Sequence, residues 1–594
     1  MISNRQRNKT LAVLVGCFIV YLISRTTFEH SSPKKLSHTS SGKSGHLSFA
    51  QIKADAERAA LDAMEKGDSV GEDSALDMKT IMSIRDYSIF FHNLEDFDPK
   101  SDSLKGKYKT DKAKELFSNG GDFLFSKEYL ENVLDVPDET VTRLKDSHTR
   151  YVDQQINRLV ENSGVSTFGN ILESDPEWST YQGSSGYVLI GGGEYSWLSF
   201  LVIKQIRATG SKLPIELFLP GTNDYEKDFC EKLLPKFNAR CNVFDDNLAA
   251  DLKKRFNLGG YQYKMLAILS SKFENILYLD SDGFPTKDLD YLFESDLYKE
   301  KNMIIWPDAW ARTTNPKFYD IASHTVTEKK LRYSSYDKKQ AEKKDTKVKE
   351  LKDYDFTNSN YHDFEGAIPD PTSETGILMI NKTSHMRTLL LCLYYNVFGP
   401  HFYYPLMTQG SAGEGDKETF IAAAIVMGEP WFQTLKQFHW TGYIKEDSGK
   451  FDSKALGHYD PVQSSKMTKD DEEIDYCFMH LSYPKFYPNW LADNHDLVYE
   501  KSGKHIRMYK DIYKNVGYDF DLRVLQFFVQ GLCPSYYDKD GAAVDGSSAT
   551  RQNDYVGKYL KYVSDREQED EARCKDIFIP HLKWLKETTK VSMG

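Results

Sequence analysis

The distribution of apolar and polar positions divides the chain into unequal stretches. Thr10 to Ser24 is an uncharged run preceded by Arg5, Arg7 and Lys9. Its apolar part, Leu11 to Ile23, would span about 20 Å as a helix, short of a ~30 Å hydrocarbon core. Snorkelling by Lys9 and Arg25, or a thin early-secretory bilayer, closes that gap. No small-x-small cleavage pattern follows Ile23, so the run reads as a signal anchor rather than a removed signal peptide. The basic residues ahead of it place 1–9 in the cytosol and the bulk of the chain in the lumen. Residues 26–75 are polar and rich in Ser, Lys and His, which suits a stem. From about Leu76 apolar density rises, and Val141 to Val160 has the spacing of a long amphipathic helix. Residues 76–175 are therefore expected to form a helix-rich accessory layer.

Short apolar runs bounded by turn residues dominate from 176 to 494. Gly186–Ile190, Ile215–Leu219, Asn242–Phe244, Ile276–Leu279 and Met303–Trp306 read as buried strands. Helical spacing lies between them over Trp197–Thr209, Gly260–Ser271 and from Asp288 to Phe293. Alternation of this kind predicts an α/β domain with a largely parallel sheet. Gly191-Gly192-Gly193 after the first strand suits a nucleotide-binding turn, with a plain tight turn as the even alternative. It is not the dinucleotide fingerprint. Residues 323–355 are Lys-rich and read as a solvated insertion. Beyond it come a strand led by Glu374, a helix capped by Ser384 and running to about Tyr395, an Ala-rich helix after Asp416 and Glu418, and a strand ending at His480. Residues 495–594 alternate charged helices with Tyr-rich loops, which suits a packing layer.

Composition narrows the class. Of 594 residues, 40% are apolar and 13% aromatic, enough for a large core; the net charge of −12, with no long basic tract in the globular part, argues against a nucleic-acid partner. Six cysteines follow Cys17, an even set that fits an oxidising compartment, and no Cys-x-x-Cys pair suggests zinc. Cys230 and Cys241, flanking one short segment, are the natural pair. Asn381-Lys-Thr383 is a glycosylation sequon if its strand end is exposed.

The candidate chemistry centres on Asp280-Ser281-Asp282, which directly follows the apolar run Ile276–Leu279. Asp-x-Asp spacing recurs at 96/98, 288/290, 353/355, 519/521 and 538/540, so the buried strand in front singles this pair out. Carboxylates at such a strand end sit where open α/β sheets bind ligands, and both can face one cation. A solvated acidic turn is the plainer alternative. His480 at another strand end would complete an Asp/Asp/His set suited to Mn²⁺, with Lys485 just beyond. Asp416 and Glu418, beside paired glycines, suit a substrate-facing loop or favourable helix starts equally. A glycoside hydrolase with paired carboxylates is disfavoured, because it needs neither metal nor nucleotide.

Several motifs in one order carry a resemblance: Tyr278-Leu-Asp-Ser-Asp-Gly-Phe-Pro285, Trp306-Pro-Asp308, Pro369-Asp-Pro-Thr-Ser-Glu-Thr-Gly376, Gly413-Glu-Gly-Asp-Lys-Glu-Thr-Phe420 and His480-Leu-Ser-Tyr-Pro-Lys485. With these the chain resembles fungal Golgi α-mannosyltransferases that branch the outer chains of N-linked mannan, specifically the α-1,2 type. The resemblance implies a GT-A glycosyltransferase fold, GDP-mannose as donor, Mn²⁺ as cofactor and anomeric retention. It implies a type II Golgi membrane protein with a luminal catalytic domain and a mannan or N-glycan acceptor, working within a mannosyltransferase complex or as a homo-oligomer. Carried onto this sequence, Asp280, Asp282 and His480 are the expected metal ligands. Gly191, Gly192, Lys264, Asp280 and Lys485 are the expected donor-binding set, and Glu374, Asp416 and Glu418 stand on the sugar side. No assured nucleophile emerges, so double displacement and front-face transfer both stay open. An α-1,3 linkage, or a non-catalytic scaffold on the same fold, are the alternatives.

Overall fold

The computed structural model describes residues 78–118, 121–164, 181–469, 472–493 and 498–593. The expected tail, anchor and stem at 1–75 lie outside them, as do residues 165–175 of the expected accessory layer. Among the described residues no helix is long and apolar enough to cross a membrane.

The strand-forming runs pair as their buried, β-branched and aromatic character requires. β1 (Ser185–Ile190), β2 (Ile215–Leu219), β3 (Ala239–Val243), β4 (Asn275–Leu279), β6 (Met303–Pro307), β7 (Ser373–Asn381) and β8 (Phe432–Gln433) form one sheet in the order β3-β2-β1-β4-β7-β6-β8. The pairs β2–β3, β1–β2, β1–β4 and β6–β8 are parallel. β7 runs antiparallel to both β4 and β6. The expected α/β architecture is present, with a mixed sheet that is mostly parallel. The reversal matters for the site. The chain leaves the carboxyl end of β6 and returns only at β7, so the start of β7 lies beside the end of β4, where Asp280 N–H donates to the Gly376 carbonyl at 2.9 Å.

Period-two alternation along the strands separates two cores. Val188, Phe218, Ile276, Tyr278, Leu378 and Ile380 face one layer, and Tyr187, Leu189, Leu217, Leu277, Ile377 and Met379 face the other. The first core holds helix α2 (Gln262–Ser270), α3 (Met386–Val397), α4 (Thr419–Met427) and the N-terminal helices. The second holds α1 (Glu194–Ala208) and the C-terminal helices Phe520–Leu532 and Ile579–Met593. α1 is buried on every side from Ser196 to Ile206, because the C-terminal layer covers the face that would otherwise meet solvent. Its Lys204 ammonium is held there by Asp554 at 2.6 Å and Gln530 at 3.0 Å. A second, antiparallel sheet of β5 (Gly283–Pro285), β11 (Tyr476–His480), β10 (Phe451–Tyr459) and β9 (His439–Ile444) stands on the edge where β4 ends.

Local readings hold for some elements and give way where distant partners decide. The helix expected over Val141–Val160 is helical from Asp138 to Ser163, with a π-helical stretch over Tyr151–Asn157. That widened stretch directs Tyr151 into the core, where its ring stacks on Tyr394 with centroids 4.5 Å apart. Asp288–Phe293 makes only a 3₁₀ turn, Asp290–Glu294. Ser384 does not cap α3; its N–H instead donates to Asn381 Oδ1, and the Asn381 amide donates to Asn275, so the sequon side chain is engaged within the fold. The Lys-rich insertion is mostly exposed, but Lys330 is buried against Asp337 and Ser359.

Cys230 and Cys241 are disulfide-bonded as expected, and a second bond joins Cys533 to Cys574 within the C-terminal layer. Cys392 and Cys477 are free and buried, and burial raises both thiols well above their usual range. Both should resist a bulky thiol reagent in the native protein and react on unfolding without reductant, which mass spectrometry of labelled peptides checks. Native labelling of either would contradict this packing.

Candidate active site

The site grows out of the end of β4. The Gly283 N–H donates to the Asp280 carbonyl at 2.9 Å, closing a tight turn that lifts Asp282 above the sheet. The chain then enters β5, where Gly283 pairs with His480 of β11. A Cβ on Gly283 would lie 2.6 Å from the Phe478 ring, so only glycine lets the two strands approach. Gly376 is constrained likewise: its Cβ would meet Glu374 Oε1 at 2.8 Å and Asp280 Oδ2 at 3.3 Å.

Around this turn the acids and bases interlock. Asp280 accepts from the Tyr278 hydroxyl at 2.6 Å, and its other oxygen is 3.4 Å from the buried Lys264 ammonium. Lys264 also donates to Thr375 Oγ1 at 3.0 Å and lies 3.3 Å from Asp416. Burial alone would lower the lysine pKa, but the charges of Asp280, Asp416 and Glu374 outweigh it and hold the ammonium above its usual range. Burial pushes the Asp416 carboxyl up, against the pull of Lys264.

Asp282 faces two basic partners: Lys485 Nζ contacts its carboxylate, and His480 Nε2 is 3.6 Å away. The other ring nitrogen of His480 is 2.8 Å from Glu374 Oε2, while Glu374 Oε1 accepts the Gly376 N–H. Burial alone would raise the Glu374 pKa, but His480 dominates and holds it below the ordinary carboxylate range; Glu374 in turn keeps the imidazole above its usual value despite burial. Burial brings Lys485 down to about 8, with Asp280 opposing. With a carboxylate on Nδ1, the histidine presents Nε2 toward Asp282, the arrangement that orients metal-binding histidines.

Of the residues expected from sequence, Asp280, Asp282, His480, Lys264, Lys485, Glu374 and Asp416 are brought together. Glu418 is not. It is wholly buried behind the site, one oxygen against Arg312 and the other accepting the Ser373 N–H. Its place at the start of α4 serves Arg312, whose guanidinium also reaches the carbonyls of Pro369 and Pro371 and so ties down the loop feeding β7. Gly191 and Gly192 lie in the turn after β1, with Gly192 at φ +104°. Tyr195, half-exposed on α1, donates its N–H to the Gly192 carbonyl at 3.1 Å, and burial raises its phenol above the usual range, with the charges of Glu194, Tyr261 and Asp280 adding to it.

Three neighbours were missed. Asp308 ends β6 by the same strand-end rule as Asp280 and pairs with Lys417, so its position after Met303–Trp306 was the available signal. Lys417 sits inside the Gly413–Phe420 motif and also donates to Thr372. His458 gave no signal, being a lone histidine on a strand. It is fully buried 4.0 Å from Glu374, neither ring nitrogen has a hydrogen-bond partner, and burial lowers its pKa to about 4. Glu374, His458 and His480 lie close enough to one another to share a metal ion.

A family described as "Mannosyltransferase putative" matches residues 184–460, from β1 to the end of β10. The α-1,2-mannosyltransferase MNN2 of Candida albicans is 65% identical over 508 residues, covering 85% of this chain and 84% of that protein. The chain belongs to the α-1,2-mannosyltransferase MNN2 family. The MNN2 protein of Saccharomyces cerevisiae is 34% identical, covering 74% of this chain and 77% of that protein. A crystal structure of the galactosyltransferase LgtC with donor and acceptor sugar analogs aligns at 12% identity over 42% of this chain and 73% of that one, with a TM-score of 0.24. Within this MNN2 family member, His480 and Lys485 lie just beyond the span matched by the family as a whole.

The placement of Glu418 separates stability from chemistry. Arg312→Met should leave Glu418 buried without its cation and destabilise the fold by about 3–5 kcal/mol. Thermal unfolding should show a lowered midpoint, and Arg312→Met with Glu418→Gln should recover part of the loss. A midpoint equal to wild type for Arg312→Met would contradict the buried pair.

Proposed function

We propose that this protein transfers mannose from GDP-mannose, with retention, in α-1,2 linkage onto the α-1,6-mannan backbone of N-glycans, using Mn²⁺ at the end of β4. Membership of the MNN2 family supports the sugar and the linkage. The observation that carries the site is Asp282, held at a strand end between His480 Nε2 and Lys485 Nζ. The sheet order, with the Gly191–Gly193 turn after β1 next to the β4 end, supports a nucleotide-sugar site on a GT-A-type fold.

The donor types, two carboxylates and one imidazole, suit a hard divalent cation; Glu374 and His458 crowd the same imidazole and offer the cation a second nitrogen and a third carboxylate. Asp280, Asp282 and His480 would hold it, with Glu374 fixing the imidazole. The Lys485 ammonium already lies against Asp282, so a positive charge at this point is compatible with the surrounding packing. Bound Mn²⁺ would supply neutralisation of the diphosphate leaving group.

The rest follows from this chain's own groups. Lys485, brought to about 8 by burial, gives the diphosphate a second cation as the C–O bond opens. Lys264 is fixed by Asp280, Asp416 and Thr375 and so holds Asp280 in place. Asp416 is buried beside it and pins the Lys264 ammonium from the protein side, and Glu374 acts through His480. The membrane anchor at 10–25 and a Golgi location with the catalytic part luminal complete the reading.

Full-length protein in detergent, given GDP-mannose, Mn²⁺ and an α-1,6-linked mannan, should form an α-1,2-linked product. Asp282→Asn should cut transfer by at least about a hundredfold, the scale of losing a preorganised electrostatic contact to the leaving group, with an unchanged unfolding midpoint. Undiminished Mn²⁺-dependent transfer by that variant would overturn the assigned role, and an α-1,3 product would overturn the linkage.

A further inference from the structure

One face of the four-stranded sheet leads from the metal-ligand histidine to a set of partly exposed rings that the proposed chemistry does not use. His480 of β11 lies opposite Leu456 of β10, which lies opposite Trp440 of β9. Residues directly opposite in an antiparallel ladder share a face, so His480, Leu456 and Trp440 form one row. Two strand spacings separate its ends, roughly 10 Å, about the reach of a disaccharide.

At the far end the rings gather. Phe438 packs edge-on against Trp440 with centroids 5.0 Å apart, and Phe117 meets Trp440 edge-on at 5.3 Å. Phe117 stacks face to face on Trp310, with centroids 4.9 Å apart and planes 20° from parallel. Phe117 is 44% exposed, and Trp310, Phe438 and Trp440 are partly so. Backbone pairing fixes this shelf. Ser118 N–H donates to the Ala309 carbonyl at 3.1 Å and Ala311 N–H to the Leu116 carbonyl at 2.9 Å, so residues 116–118 lie as a short antiparallel ribbon along 309–311. That ribbon starts one residue after Asp308, the buried acid at the end of β6. Phe438 also contacts His458, which lies 4.0 Å from Glu374. The shelf is thus continuous with the active site on two sides.

We infer that the Phe117–Trp310–Phe438–Trp440 shelf is a binding subsite for a neutral oligosaccharide, the acceptor chain one to several sugars away from the reacting hydroxyl. The inference rests on the reading of the site as a glycosyltransferase centre. Position decides the occupant. The Gly191–Gly193 turn lies on the β1 side of the Asp280 turn, and the shelf lies on the opposite, β6–β8 side, leaving the acceptor that flank. The chemistry agrees: the C–H face of a pyranose packs on the electron-rich face of an aromatic ring, while its hydroxyls stay hydrated at the rim. Four partly exposed rings in mutual contact give a repetitive sugar chain more than one ring to pack on. They also give residues 78–164 a role beyond packing, since Phe117 comes from that region.

The test uses full-length protein in detergent and α-linked manno-oligosaccharides from disaccharide to hexasaccharide. Binding is measured by calorimetry without donor, and transfer is measured separately. Wild type should bind longer chains more tightly and show a falling acceptor KM with length. Trp440→Ala and Phe117→Ala should each weaken hexasaccharide binding roughly tenfold, the scale of one lost stacking partner. They should also flatten the length dependence. Trp440→Phe should restore much of it, and Tyr333→Ala, an exposed ring elsewhere, should match wild type. Unfolding midpoints guard against misfolding. Length dependence that survives both alanine variants overturns the subsite. So does loss of self-association in Trp440→Ala without any change in sugar binding, which would make the shelf a contact between copies. Oligosaccharide binding that needs the shelf but is never followed by transfer would keep the subsite and overturn the transferase reading instead.

Discussion

Carboxylates crowded at a buried sheet edge repel one another, and this fold answers with a basic partner for almost every acid. Lys264 lies between Asp280 and Asp416, Lys485 against Asp282, His480 against Glu374, Lys417 against Asp308 and Arg312 against Glu418. Removing one base strands an acid at low dielectric, which costs far more than an exposed ion pair contributes. The requirement fixes much else. α2 must present Lys264 inward, the loop after β6 must deliver Arg312 and then Glu374, and β11 must end at His480. The pairs differ in depth: Arg312–Glu418 is sealed in protein, whereas Asp280, Asp282, His480 and Lys485 keep partial access to solvent. The sealed pairs hold the backbone, and the accessible ones are those the proposed donor and metal would meet.

Chain direction sets which groups belong to the accessible set. Had β7 run parallel to β4, Glu374 would lie at the opposite end of the sheet from Asp280. Its antiparallel return brings the Gly376 carbonyl to the Asp280 N–H and so brings Glu374 to His480. The small sheet then carries His480 over the Asp282 turn through the Gly283 pairing. Two glycines at the closest approaches, Gly283 and Gly376, make both juxtapositions possible.

Much of this was legible in the sequence because it is local. Buried strands and the helices between them follow from period and punctuation, and β2 matches its expected run, Ile215–Leu219. The strand in front of Asp280 singled out one Asp-x-Asp among several, another strand end pointed to His480 with Lys485 beyond it, paired glycines pointed to Asp416, and the family motifs gave Glu374 its place on the sugar side. What failed was pairing at long range. Glu418 and Asp416 are two residues apart and looked alike, yet one meets Arg312 behind the site and the other Lys264 within it. No local signal separates them, since each partner lies more than a hundred residues away. His458 and the rings at 117, 310, 438 and 440 were invisible for the same reason, because three separate segments meet only in the fold. The π-helical stretch at Tyr151 likewise depends on Tyr394.

The proposed site holds a divalent cation at the end of β4 through two carboxylates and one imidazole. Pulsed electron paramagnetic resonance of the Mn²⁺-loaded protein carrying ¹⁵N-labelled histidine reads this ligand directly. The expected spectrum shows a single directly coupled imidazole nitrogen that disappears in His480→Ala. A spectrum without nitrogen coupling, or one left unchanged by that substitution, would contradict it.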